Sequence, residues 1–176
     1  MPRLITLSLL AFLSVFALWP ADEARATFGN SIQGSWEIKV IPQPTPDFPV
    51  PPPPFISIFA FHFGGTLSET DTQVHPGARF ENFLDFGPLS GSDGLGVWKR
   101  KGFRDFGLTF VKMLFVEGEH VGFIRVRGEL ALGKDRSSVD GRADSDIIVG
   151  SDLETGEVVF TGPVLFDGRR LKVQAL

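Results

Sequence analysis

The sequence predicts an all-β protein built as one antiparallel up-and-down barrel of about eight or nine strands, and three observations lead there. The chain carries 18 Phe and 20 Gly but no Tyr, an aromatic-filled and turn-rich composition without a long helical periodicity. Short strand-like runs follow one another between glycine turns, leaving no room for the crossovers that parallel strands need. Finally, residues 123 to 149 spell out a hairpin whose register is readable from charge. A closed barrel is the arrangement of such strands that removes their edges; a two-layer sandwich is the alternative.

Residues 1–26 read as a secretory signal, with Arg3 as the positive start, an apolar stretch from Leu4 to Trp19, and Ala24-Arg25-Ala26 as a small-x-small cleavage site. The apolar stretch falls short of the roughly 20 residues that span a bilayer. The mature domain is therefore expected to start at Thr27 and run to residue 176, secreted or periplasmic, with no membrane insertion after cleavage. Absence of cysteine excludes disulfides, thiolate metal sites and a lipid-anchor cysteine. The net charge of −4 argues against nucleic acid or an anionic membrane as partner. Oligomeric state is not legible.

In chain order, Gly34 to Ile41 is the first strand. Residues 42–54 hold eight of the 13 prolines and form a stiff proline-rich loop, since proline lacks the ladder N–H. Phe55 to Phe63 and Thr66 to Gln73 read as a hairpin about a two-residue Gly64-Gly65 turn. Val74 to Gly94 reads as an aromatic loop with Phe80, Phe83 and Phe86. Leu95 to Arg100, Phe103 to Val116, Val121 to Leu132 and Ser138 to Val149 form a meander. Glu157 to Phe166 and Arg169 to Gln174 close the chain, joined by a turn at Asp167-Gly168.

Within that meander, folding the chain about Asp135 and Arg136 sets Arg125 opposite Asp146, Arg127 opposite Asp144 and Glu129 opposite Arg142. The other face pairs Ile124 with Ile147, Val126 with Ser145, Gly128 with Ala143 and Leu130 with Gly141. Each ion pair contributes only about 0.2–1 kcal/mol, but a one-residue slip would turn all the charges toward the core.

Gly34-Ser35-Trp36 at the head of the first strand, ahead of a single meander of this size, resembles the calycins, the lipocalin and avidin-like barrels. The stretch from Gly96-Val97-Trp98 through Phe110 is similar to lipocalin-like domains of secreted bacterial proteins. The lipocalin threonine-aspartate-tyrosine motif is missing. The resemblance implies that Gly34 turns the backbone at a closed barrel end, that Trp36 plugs it, and that a last-strand arginine, Arg169 or Arg170, stacks on Trp36; we assign Arg169. It also implies a ligand inside the barrel.

The residues themselves point to the same use. Phenylalanine-rich walls with few polar groups suit a small apolar or amphipathic molecule, and Phe59, Phe61, Phe63, Trp98 and Phe110 are the expected ligand-contacting residues. No cofactor and no metal site is expected: His62, His75 and His120 have no ligand spacing, and Asp140, Asp144 and Asp146 lie along one strand face with Arg142 among them. Lys99-Arg100-Lys101 reads as a solvated turn. No recognised hydrolase or nucleotide motif occurs. On the Gly64-Gly65 register, Glu69 and Asp71 lie opposite Ala60 and Ile58, so that His62, Glu69 and Asp71 share the outer, wet face. Two other classes stay open: an isomerase or cyclase using His62 or Glu69, which requires one of them to face inward, and a protein-interaction or inhibitor domain using the proline loop or the Phe80 to Leu89 segment.

Overall fold

A computed structural model describes residues 31–46, 48–72 and 89–172, and among them every regular element is a β-strand. The expected leader, most of the aromatic loop and the Gln174 end lie outside the described residues. The chain divides into two units, Met1–Ser31 and Ile32–Leu176, and all the described strands lie in the second.

These strands are β1 (Gly34–Pro42), β2 (Phe55–Phe61), β3 (Thr66–Asp71), β4 (Leu89–Gly91), β5 (Gly94–Arg100), β6 (Asp105–Val116), β7 (Glu119–Leu132), β8 (Ser138–Val149) and β9 (Glu157–Arg170). Neighbours pair antiparallel in the order β1-β2-β3-β5-β6-β7-β8-β9, and β9 returns to β1, closing an eight-stranded up-and-down barrel. β4, which the sequence does not announce, adds a short extra strand beside the end of β6 beyond its pairing with β5.

Alternation fills the interior. On β6, Phe106, Leu108, Phe110, Lys112 and Leu114 are buried while the residues between them are more exposed. The β7–β8 register agrees throughout with the one read from charge, from Ile124 opposite Ile147 to Leu132 opposite Val139.

Three details depart from expectation. First, Asp167-Gly168 is no turn. β9 runs straight through it, paired with β1 on one side and β8 on the other, and Gly168 is there because a Cβ would stand 2.8 Å from Val139 Cγ2 and 2.9 Å from Ile38 Cγ1. Second, the β2–β3 turn is one residue longer than two. His62 N–H bonds Thr66 O at 2.9 Å across Phe63, Gly64 and Gly65, so Phe59 faces Glu69 and Ser57 faces Asp71. Glu69 and Asp71 therefore lie on the inner face with Phe59, not on the wet one. Third, the arginine over Trp36 is Arg170. Alternation along β9 puts Arg169 outside, 2.8 Å from Glu37, and leaves the Arg170 guanidinium 4.4 Å above the Trp36 ring.

Trp36 closes that end of the barrel. It is fully buried, and its indole N–H donates to Ile32 O at 2.7 Å, which satisfies the one polar atom it brings inside. Gly34 adopts φ +112°, a backbone geometry that side chains disfavour, and a Cβ there would stand 3.0 Å from Arg170 Nη1.

Candidate functional site

The barrel is filled unevenly. Near Trp36 the aromatic rings pack on one another: Trp98 meets Phe61 edge-on at 6.1 Å and Phe106 at 5.9 Å. Toward the far end of β1 the interior instead holds a cavity of about 130 Å³, walled by Phe59, Phe110, Val126, Ile147, Phe160 and Phe166. The proline segment after β1 covers it with Phe48, Pro51 and Pro52. Gln43 N–H bonds Pro163 O at 2.9 Å and the Phe48 ring sits edge-on to Phe160 at 6.1 Å, so the segment is tied to β9 at two points.

One polar cluster interrupts this apolar wall. Glu69 and Asp71 on β3 and Lys112 on β6 all line the cavity, with side chains only 2%, 5% and 4% exposed. Lys112 Nζ donates to Asp71 Oδ2 at 2.7 Å and stands 2.9 Å from Glu69 Oε2. β5 lies between the two charged strands, and Gly94 leaves the gap through which they meet, since a Cβ there would be 2.7 Å from Glu69 Oε2. The closeness of Lys112 to Oε2 is a charge contact rather than an aligned hydrogen bond, and Oε2 is buried without a hydrogen-bond partner.

Burial pushes the Glu69 carboxyl above its ordinary value and the neighbouring Asp71 charge adds to this, against the opposing pull of Lys112 and Ser57. Ser57 Oγ donates to Glu69 Oε1 and also lies 2.9 Å from Thr70 O, so its single proton is shared between two acceptors and its support of the carboxylate is partial. Two acids sharing one lysine carry a net negative charge when both ionise, a costly state in an apolar wall.

Of the residues expected to contact a ligand, Phe59 and Phe110 line the cavity. Phe61 and Trp98 belong to the packed end, and Phe63 is 84% exposed because the longer turn carries it off the strand. His62 is exposed, 3.0 Å from Ser68 Oγ, and cannot serve the interior. Asp146 is held by Arg125, Arg127 and Thr161 at 2.8 to 2.9 Å, so its oxygens are spent on the outer face of the hairpin. The sequence reading misses Lys112 as a site residue, as it does the wall residues Val126, Ile147, Phe160 and Phe166. The signal for Lys112 is a lone lysine on the inward row Phe106, Leu108, Phe110, Lys112, Leu114, where a buried cation calls for buried acids.

The fold and site together describe a small antiparallel barrel with an apolar, covered cavity and an acid-rich polar spot in its wall. Comparison with family models, curated proteins and solved structures finds no match to this chain.

Proposed function

We propose that this is an exported protein that binds a small, mainly apolar molecule in the cavity beneath the proline segment. The observation that carries this reading is the cavity itself, an apolar space left unfilled within a barrel whose other end is tightly packed. The calycin resemblance points the same way. Size narrows the part of a ligand held inside: about 130 Å³ approaches the roughly 150 Å³ of an engineered apolar cavity that takes benzene, so one ring or a short chain fills it.

Toluene should raise the melting temperature of the exported protein, whose intact mass is expected to begin at Thr27. Binding at a hundredfold excess over Kd stabilises by about 2.7 kcal/mol, a shift of roughly 5–11 °C for a domain of this length. Val126→Phe, which fills the space, should remove the shift. Silence across toluene, benzene and cyclohexane would sink the binding reading.

The inward Glu69 favours a second reading, proton transfer on a small carbonyl substrate. An acid with a raised pKa in an apolar wall can take a proton from a carbon next to a carbonyl and return it to the same or another carbon. Hydrogen–deuterium exchange at that carbon of a single-ring ketone, lost in Glu69→Gln, would support it; exchange at the uncatalysed rate would remove it.

A further inference from the structure

We propose that the Glu69-Asp71-Lys112 cluster is the polar anchor of the cavity and selects ligands with a single hydrogen-bond donor head, a primary amine above all, on a one-ring or short-chain apolar body. This deepens the binding reading and rests on it. Three observations carry it. Among the described residues, the three charged side chains are the ionisable groups on the cavity wall, beside the neutral Gln43 and Ser145, so a charged ligand head finds its partner there. The cluster has two acids and one base, so with both acids ionised it carries a net negative charge that a cationic head offsets. Glu69 Oε2 is buried and satisfied only by the charge of Lys112 at 2.9 Å, while the aligned donation of Lys112 goes to Asp71.

A buried acceptor that takes no aligned hydrogen bond of its own is where an incoming donor gains most, because the cost of drying the acceptor is already met. An amine brings both the donor and the missing charge. A hydroxyl brings only the donor. A carboxylate ligand would find Lys112, but it would add a third negative charge to the same wall.

Four probes of nearly equal size separate the cases: toluene, benzyl alcohol, benzylamine and benzoate, with benzaldehyde as a pure acceptor, each titrated calorimetrically at neutral pH. Benzylamine is expected to bind at least tenfold more tightly than toluene, benzyl alcohol in between, and benzoate more weakly than toluene. Glu69→Gln should bring benzylamine within about twofold of toluene, each measured on that variant. Benzoate or benzaldehyde binding as tightly as benzylamine overturns the proposal, as does a tenfold amine preference that survives in Glu69→Gln. If that variant does not fold, the wild-type ranking alone decides. Toluene binding without an amine preference rejects the anchor and keeps the cavity reading; failure of all five probes rejects both.

Discussion

The hairpins β2–β3 and β7–β8 are built from the same kind of alternating strand, yet only one displays its register in the sequence. Along β7 and β8 one face is charged and the other small or apolar, so a slip of one residue exchanges chemically opposite faces. Along β3, Thr66, Ser68 and Thr70 occupy one face and Leu67, Glu69 and Asp71 the other. Both faces are polar, and nothing in the pattern penalises the wrong one. The turn then decides. Gly64 and Gly65 both take positive φ, as a two-residue turn would demand, but Phe63 joins the loop and the register moves by one. A pattern specifies a register when the two faces differ; where they do not, one turn residue carries the Glu69 and Asp71 carboxylates from solvent into the barrel.

The largest expected effect tests whether the inward acids depend on Lys112. Lys112→Met keeps length and apolar stem but leaves Glu69 and Asp71 without their cation. Removing one partner of a buried ion pair typically costs about 3–5 kcal/mol. Asp146→Asn breaks the comparable cluster on β7–β8, but its partners Arg125 and Arg127 are 27% and 54% exposed and remain solvated, so a loss of about 1–2 kcal/mol is expected. Urea unfolding measures both. Adding Glu69→Gln and Asp71→Asn to Lys112→Met should recover most of the loss, because no charge then stays buried unpaired. If Lys112→Met costs no more than Asp146→Asn, water reaches the acids and the contrast between the two hairpins disappears.

What is legible in the sequence follows the same division. The barrel and the full β7–β8 register are readable because alternation, charge and turns agree there. Side-chain pairing is less so: Arg127 lies opposite Asp144 on the backbone but reaches diagonally to Asp146, and Glu129 pairs with Lys101 of the β5–β6 turn. A long side chain is not confined to the residue across from it. Asp167-Gly168 reads as a turn because the dipeptide suits positive φ, but the glycine answers to crowding by Val139 and Ile38, which is tertiary information. Arg169 and Arg170 are chemically alike, and only the phase of β9 tells which faces inward. Lys112 is readable on β6 alone; the acids it meets are not, because their facing depends on one loop residue.

The smallest effect is the sharpest, because the two hairpins predict opposite signs. Glu69 has a folded-state pKa above its ordinary value of 4.5, so its ionisation opposes folding. The penalty is full above the raised value, and stability recovers as pH falls through it toward 4.5. Asp146 behaves in reverse. Burial would raise its carboxyl, but hydrogen bonds from Arg125 and Thr161 and the charges of Arg127 and Arg125 hold it below the ordinary 3.8. Its contribution is present above 3.8 and is lost as pH falls through the depressed value. Glu69→Gln, which mimics the protonated form, should therefore be as stable as wild type or more so at pH 7, with the difference shrinking as pH approaches 4.5. Asp146→Asn should be less stable at pH 7 and at pH 4.5, approaching wild type only in stronger acid. A tenfold change in a carboxyl's acidity on folding corresponds to about 1.4 kcal/mol, well within reach of urea midpoints at pH 7, 5 and 3. A Glu69→Gln variant that is clearly less stable than wild type at pH 7 would mean that Lys112 outweighs burial and Asp71, so that the carboxylate stands ionised and satisfied. The two hairpins would then hold their acids in the same way, and β2–β3 would lose the unspent acceptor that sets it apart.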